Sequence, residues 1–352
     1  MQPLSWQQRL SAFVQLGIIF NDAAEHRPWP GFAQGLNESE YQQFLAAVDQ
    51  ASLLNPWFTP QNINHQLSAL GTMLQRDTLE TWAAAYTLPQ NVSEKPVAVI
   101  MAGNLPLVGF HDLLCVAISG HNVLIKPSSD DAGLTAAVVQ VLTTLEPAFA
   151  GRIALASGKL TDFKAVIATG SNNSMRYFQA YFNHVPHILR GSRTSVAVLT
   201  GNESDDILKQ LADDVFIHFG MGCRSISKVF LPAGFDTDRL FRAFFGYSHI
   251  INHHKYANNY DYHRAMFLMN QDKFLDNGFI LLKQDSALHS PLGVLFLGFY
   301  PNPQALTTML TEIEPEVQCI TGQGFIPFGQ AQCPGISDYA DGVDTMQFLA
   351  TL

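Results

Sequence analysis

The first ninety residues carry apolar side chains at helical spacing. In "NESEYQQFLAAVDQASLL", Tyr41, Phe44, Leu45 and Val48 share one face behind cap-type residues, which predicts a helix. In "FTPQNINHQLSALGTML", Thr59 stands at the N-cap and Pro60 at the first helical position. Proline is tolerated there because the first amides of a helix have no intrahelical acceptor. "LPQNVSEKP" (88–96) is a polar, proline-bounded loop, and the pattern changes after it.

From residue 97 short apolar runs alternate with longer amphipathic ones. "VAVIMAG" (97–103), "NVLIKP" (122–127), "RIALAS" (152–157), "AVIATG" (165–170) and "TSVAVLTG" (194–201) read as buried strands. "PLVGFHDLLCVAIS" (106–119), "DDAGLTAAVVQVLTTL" (130–145) and "NNSMRYFQAYF" (172–182) read as helices between them. "ESDDILKQLADDVFIHFG" (203–220) is a further helix, with acids in its first turn, where the dipole favours them. Its expected buried stripe is Ile207, Leu208, Leu211, Val215 and Phe216, and Gly220 is its stop. The strand "SKVFLP" (227–232), the helix "DTDRLFRAFFGYSHII" (236–251) and the strands "GFILLK" (278–283) and "GVLFLGFY" (293–300) continue the pattern. The helix "NPQALTTMLTEI" (302–313), the strand "VQCIT" (317–321) and a Gly/Pro-rich tail follow. Strands alternating with helices predict an α/β fold with parallel sheets covered on both faces.

Composition narrows the function. The chain has 352 residues, 47% hydrophobic and 14% charged, which suits a large core of about two domains. A formal charge of -10 without a basic stripe argues against nucleic acid and anionic membrane surfaces. No apolar run reaches the roughly 18 residues of a membrane span. The N-terminus lacks a basic segment followed by an apolar stretch, so no signal peptide is expected. The four cysteines, Cys115, Cys223, Cys319 and Cys333, form no CxxC pair. Free thiols and a cytoplasmic setting are the expectation.

Ligands of open α/β sheets lie at the carboxyl ends of the strands, and four segments meet that description. "AGNLP" (102–106) offers Asn104, either as an oxyanion donor or as an Asx cap for a helix starting at Pro106. "KPSSDD" (126–131) offers Lys126, either as a mobile charge for a phosphate or ribose or as a solvated strand end. "TGSNN" (169–173) puts Gly170 and Ser171 at a helix start, where amides point at any bound pyrophosphate. "HFGMGCRSISKVFLP" (218–232) places Cys223 at a turn, among polar neighbours. A nucleophilic thiolate there would be favoured by Arg224 and Lys228; a small buried hydrophobe is the alternative. "HIINHHKYANNYDYHRA" (249–265) is rich in histidine but matches no zinc signature. It reads as a polar loop, and no metal site is expected.

Taken in order, "AGNLP", "NVLIKPSS", "ATGSNN", "VAVLTG", "GMGCRSISKVF" and "IPFGQAQCPGISDYADG" resemble the aldehyde dehydrogenase superfamily from residue 97 onward. "MAGNLPLVGFHDLLCVAISGHNVLIKPSS", "ATGSNNSMRYF", "VAVLTGNES" and "DYADGVDTMQFL" look more closely like acyl-CoA reductases of the LuxC type. The resemblance implies an aldehyde dehydrogenase-like fold. It would have a helical segment at 1–90, a Rossmann-type cofactor domain at 91–202 and an α/β catalytic domain at 203–352 with a tail strand. It implies Cys223 as the acyl-accepting thiolate and Asn104, with the Cys223 amide, as the oxyanion hole. Lys126, Ser128, Gly170 and Ser171 would then contact the cofactor. An acyl thioester such as acyl-CoA is the implied partner.

Departures from the superfamily refine this. The acid-bearing Glu-Leu-Gly-Gly block appears as "VLTG", with Leu199 and Thr200 and no acid, so hydrolysis should be slow. Exchange with a thiol needs less help, because a thiol ionises more readily than water. The acid of a second block is replaced by His289 or Ser290. Ser129 stands where a glutamate would exclude a 2′-phosphate, so NADPH is expected, with NADH the alternative. "YTLPQNVSEK" leaves little room for the superfamily's dimerising hairpin, so the oligomeric state stays open. The resulting function is NAD(P)H-dependent reduction of a fatty acyl thioester to the aldehyde through a Cys223 acyl-enzyme. An acyl-phosphate reductase and a non-catalytic acyl- or cofactor-binding protein on the same fold are the alternatives.

Overall fold

A computed structural model describes residues 4–87 and 95–352. The boundary at 90/91 and most of the expected hairpin remnant fall outside these residues. The chain divides into two compact units, one of residues 1–192 with 335–352 and one of 193–334.

The first unit begins with four helices, α1 (Trp6–Ala24), α2 (Glu38–Leu54), α3 (Pro60–Met73) and α4 (Arg76–Ala84). The cap chemistry behaves as the sequence predicts. Asn37 and Glu40 form a capping box on α2, and the Thr59 side chain accepts the Asn62 amide ahead of Pro60. There follow β1 (Val97–Ile100), α5 (Phe110–Ile118), β2 (Val123–Lys126), α6 (Ala132–Leu145), β3 (Ile153–Leu155), β4 (Ala165–Thr169), α7 (Asn172–Phe182) and β5 (His187–Arg190). The five strands run parallel in the order β3-β2-β1-β4-β5, the Rossmann-like arrangement. Period-two alternation separates the faces. Val97 and Val99 of β1 join the large core with α1, α5 and α6, while Ala98 joins the patch under Phe178 and Phe182 of α7.

The second unit comprises β6 (Thr194–Val198), α8 (Asp205–Phe216), β7 (Ile226–Pro232), α9 (Asp238–Phe244), α10 (His254–Asn270), β8 (Leu275–Asp276), β9 (Leu281–Gln284), β10 (Val294–Tyr300), α11 (Pro303–Ile313) and β11 (Val317–Gly322). Its sheet order is β11-β6-β7-β10-β9-β8, parallel except for the short β8–β9 pair. Residues 335–352 return to the first unit as α12 (Thr345–Ala350).

Several expectations need correction. The 194–201 strand pairs in the second sheet rather than with the strands that precede it. The tail after residue 334 carries helix α12 and no strand. The histidine-rich segment is not a loop: most of it is α10, seated by the buried Tyr256, Tyr260 and Phe267. No proline or glycine interrupts 254–270, so nothing in the run opposes a helix. Two of its tyrosine hydroxyls find acceptors, Tyr256 on the Phe279 carbonyl and Tyr260 on the Asp276 carboxylate. Ile207 of α8 is 40% exposed rather than part of the stripe. Among the described residues no helix is long and apolar enough to cross a membrane.

One buried ion pair binds three elements of the first unit. Arg190, at the end of β5, donates to both oxygens of Asp112 on α5 at 2.7 Å, and to the Thr345 hydroxyl at the start of α12 at 2.7 Å. Removing one partner of such a pair leaves a buried charge uncompensated. Arg190→Leu is therefore expected to lower the unfolding free energy by about 3–5 kcal/mol, read by chemical denaturation. A loss below about 1 kcal/mol would show that the pair holds nothing together.

Candidate active site

In the first unit the strand order reverses between β1 and β4, and ligands of such sheets bind beyond the carboxyl ends of the strands at this switch point. The β1 loop carries Asn104, which is exposed. It does not cap a helix at Pro106. Helix α5 starts at Phe110 behind Gly109, with no side-chain cap, and residues 106–109 form a turn in which Leu107 has φ 51°.

The β2 loop carries Lys126 and Ser128. Lys126 Nζ donates to the Gly158 carbonyl at 2.7 Å. Ser128 supports the β1 loop from below: a Cβ on Gly103 would sit 2.3 Å from Ser128 Oγ, so only glycine fits. After β4, the Gly170 amide donates to the Arg190 carbonyl, and Ser171 caps α7 by accepting the Ser174 amide at 3.3 Å. The first turn of α7 contains no acid, so no carboxylate of the helix itself competes for its amides. Asn104, Lys126, Ser128, Gly170 and Ser171 thus share one sheet edge. A lysine ammonium with an acid-free helix start has the donor chemistry that fits a phosphate-bearing cofactor.

Cys223 belongs to the second unit and is exposed. It follows a strained connection out of α8, in which His218, Phe219 and Gly220 have φ of 56°, 58° and 78°. Left-handed backbone costs a non-glycine residue about 1–2 kcal/mol, so packing must hold it. The Phe219 ring lies 4.4 Å from that of His253, and His218 is buried. The turn itself closes between Gly222 and Ser225, through the Ser225 amide on the Gly222 carbonyl (3.0 Å) and the Gly222 amide on Ser225 Oγ (3.2 Å). Ser195 of β6 donates to the Cys223 carbonyl at 2.9 Å.

A second clasp comes from the tail loop. Asp214, on α8 and 1% exposed, accepts the amides of Gly329 and Ala331 at 2.8 and 2.9 Å. Arg224 donates from Nε to the Ala331 carbonyl, and Gln332 Nε2 donates to Ser225 Oγ at 3.0 Å. Residues 329–332 are therefore pinned to α8 on one side and to the cysteine turn on the other. Sequence reading missed Asp214, Ser195, Ser225 and Gln332. Only a carboxylate on the buried stripe of α8 hinted at the first.

The cations expected beside Cys223 are engaged elsewhere. Lys228 is buried, and its Nζ donates to the carbonyls of Asp285, Ser286 and Ala287 at 2.8–3.0 Å; burial lowers its pKa. The "VLTG" block has an acid close behind it after all. Glu203 is buried, and its carboxylate accepts the Thr200 amide and hydroxyl and the Gly201 amide at 2.6–3.0 Å. It is occupied in shaping that turn. Of the two residues replacing the second acid, Ser290 is buried against the Val294 carbonyl and His289 is exposed. Cys319 is half-buried, with Sγ 3.1 Å from Ser195 Oγ. His253 caps α10 by accepting the Tyr256 amide. No metal-binding group of three or more His, Cys, Asp or Glu occurs among the described residues.

Burial lifts the Asp214 carboxyl to about 6, against the lowering effect of its two amide donors. The folded value lies above the unfolded one. The contribution of this group to stability is therefore full below about pH 4 and is lost as pH rises through about 6. Asp214→Ala should cost about 3 kcal/mol by leaving two amides unpaired. It should also speed hydrogen exchange at the Gly329 and Ala331 amides, read by mass spectrometry. Unchanged exchange at those amides would rule out the clasp.

Comparison with known proteins places this geometry. A family model described as acyl-CoA reductase (LuxC) matches residues 36–241, more than half of the chain. No curated protein matches. Among solved structures the fold is similar to aldehyde dehydrogenase 21 from Physcomitrella patens, with TM-score 0.59 and 11% identity over 89% of this chain and 73% of that one. It is also similar to an NADP-dependent enzyme of E. coli, with TM-score 0.62 and 12% identity over 89% and 73%. A NAD-dependent benzaldehyde dehydrogenase from Corynebacterium glutamicum gives TM-score 0.61 and 15% identity over 88% and 76%. At these identities the structures speak for the fold, an aldehyde dehydrogenase-like α/β architecture, and the family model identifies the chain as a member of the acyl-CoA reductase (LuxC) family.

Proposed function

We propose that this protein reduces a fatty acyl thioester, with acyl-CoA as donor, to the aldehyde through an acyl-enzyme on Cys223, with NADPH as reductant. The observation that carries the reading is the exposed thiol of Cys223 on a turn held by Ser195 and Ser225, in a chain of the acyl-CoA reductase (LuxC) family. A thiol is available, and Glu203, the acid just behind the "VLTG" block, is bound to backbone amides at the other end of the sheet from the cysteine turn.

The Cys223 thiolate attacks the acyl carbonyl carbon, and a new C–S bond forms. Asn104 and the Cys223 amide donate to the oxygen as it becomes an oxyanion. Collapse expels the CoA thiolate, which takes a proton from solvent and leaves the acyl group on Cys223. NADPH, when bound, supplies a hydride to the acyl carbon. Asn104 and the Cys223 amide again stabilise the oxyanion, now that of a thiohemiacetal. Cys223 then leaves as thiolate, and the aldehyde departs. Lys126, Ser128, Gly170 and Ser171 hold the cofactor, whose nicotinamide class accords with the NAD- and NADP-dependent titles among the fold neighbours. Ser129 is exposed and uncharged, which supports NADPH, since it offers a 2′-phosphate no repulsion.

The protein is mixed with a medium-chain acyl-CoA without cofactor, and the Cys223 peptide is examined for acyl mass. NADPH is then added and its absorbance followed. Acylation followed by NADPH oxidation is expected. Cys223→Ala should lose both while still binding NADPH by fluorescence titration. Acylation from an acyl phosphate but not from acyl-CoA would reassign the donor. In a separate assay, Ser129→Glu is expected to reduce kcat/KM with NADPH by about tenfold or more, one like-charge contact being worth at least ~1.4 kcal/mol. NADH should be affected far less. Equal losses with both cofactors would sink the NADPH assignment.

A further inference from the structure

Asp131 stands immediately before α6, yet its side chain makes no cap bond to that helix. A capping bond there would contribute about 1 kcal/mol. Instead the carboxyl reaches across to the loop after β1. Its Oδ2 accepts the Leu107 amide at 3.0 Å and the Thr135 hydroxyl at 3.2 Å. The residue is 3% exposed, and Oδ1 is buried with no hydrogen-bond partner among the described residues. Burial raises this carboxyl to about 7, against the two hydrogen bonds. A half-satisfied buried acid is a poor device for stability alone.

What it holds is the backbone beside Asn104. Leu107 has φ 51°, a conformation that leucine does not keep unaided. Its amide is bound by Asp131, and its carbonyl accepts the Phe110 amide at 2.9 Å. On the other side of Asn104, Gly103 rests directly on Ser128. Asn104 is therefore suspended between two anchors, and both belong to the 126–131 loop.

We propose that Asp131 is a positioning residue for the oxyanion donor: by holding the Leu107 amide it fixes the loop from which Asn104 acts. The inference rests on the role given to Asn104 above. Asp131 touches neither substrate nor cofactor, and it acts through Asn104 alone. The same loop carries Lys126 and Ser128, so cofactor contacts and the oxyanion loop share one support.

The test is a double-mutant cycle on single-turnover acylation of Cys223 by a medium-chain acyl-CoA. Asp131→Ala is expected to slow acylation by about 10–100-fold, a loss of the size of a misplaced oxyanion donor. The acyl-CoA concentration at half-saturation should change less than about threefold. Asp131→Asn keeps one oxygen to accept the Leu107 amide and should recover most of the rate. In an Asn104→Ala background, Asp131→Ala should cost less than about twofold, because the group it positions is gone. If Asp131→Ala fails to fold by circular dichroism, Asp131→Asn and Asp131→Ser complete the cycle. Additive losses, or wild-type acylation by Asp131→Ala, overturn the inference and leave the Cys223 reading standing. Wild-type acylation by Asn104→Ala removes the oxyanion role itself, and the inference with it.

Discussion

A loop leaving the carboxyl end of a parallel strand takes its amides out of the ladder, and each buried amide then needs another acceptor. This protein meets that requirement with buried carboxylates. Asp131 takes the Leu107 amide, Glu203 takes those of Thr200 and Gly201, and Asp214 takes those of Gly329 and Ala331. The first of these loops carries Asn104 and the last is joined to the cysteine turn through Arg224 and Gln332, while Glu203 shapes the turn after β6. These few acceptors hold the backbone of loops that the strand ladders leave unpaired.

The device has an electrostatic cost. Asp131 and Asp214 are both lifted well above the ordinary carboxylate range by burial. An acid in the interior must be stabilised by its donors or it protonates. Backbone amides are suitable donors, since they cannot rotate away and carry no competing charge. Lys228 shows the mirror image. Its ammonium is buried, is hydrogen-bonded by three carbonyls of the 285–287 loop and feels the Asp285 carboxylate only through space. Charged groups here shape backbone, which explains why the cations near Cys223 in sequence do not serve it.

Strain is placed with similar economy. Two non-glycine residues in left-handed backbone, His218 and Phe219, precede the cysteine turn, and Leu107 follows Asn104. Each is over-determined by neighbours: a ring contact on His253, a buried imidazole, an aspartate on an amide. Such conformations persist where surrounding contacts impose them.

Much of the fold was legible in the sequence because it is local. Apolar runs marked β1, β2, β4, β7 and β10, and cap chemistry at Asn37 and Thr59 marked helix starts. The order of the short motifs pointed to the family, since each block keeps its residues adjacent in sequence. Other features needed the folded chain. Strand β6 had the same apolar signature as its predecessors, and only pairing with β7 and β11 assigned it to the second sheet. The segment 249–265 looked like a polar loop because its buried tyrosines alternate with histidines and asparagines, yet most of it lies in α10. Glu203 was hidden by standing two residues past the block where an acid was sought, and its inward turn is a backbone event. Sequence by itself determined which chemical groups the protein possesses and in what order. Tertiary structure decided which of them are spent on holding loops and which stay exposed, because hydrogen bonds such as those of Asp214 and Asp131 join residues 24 to 117 positions apart in the chain.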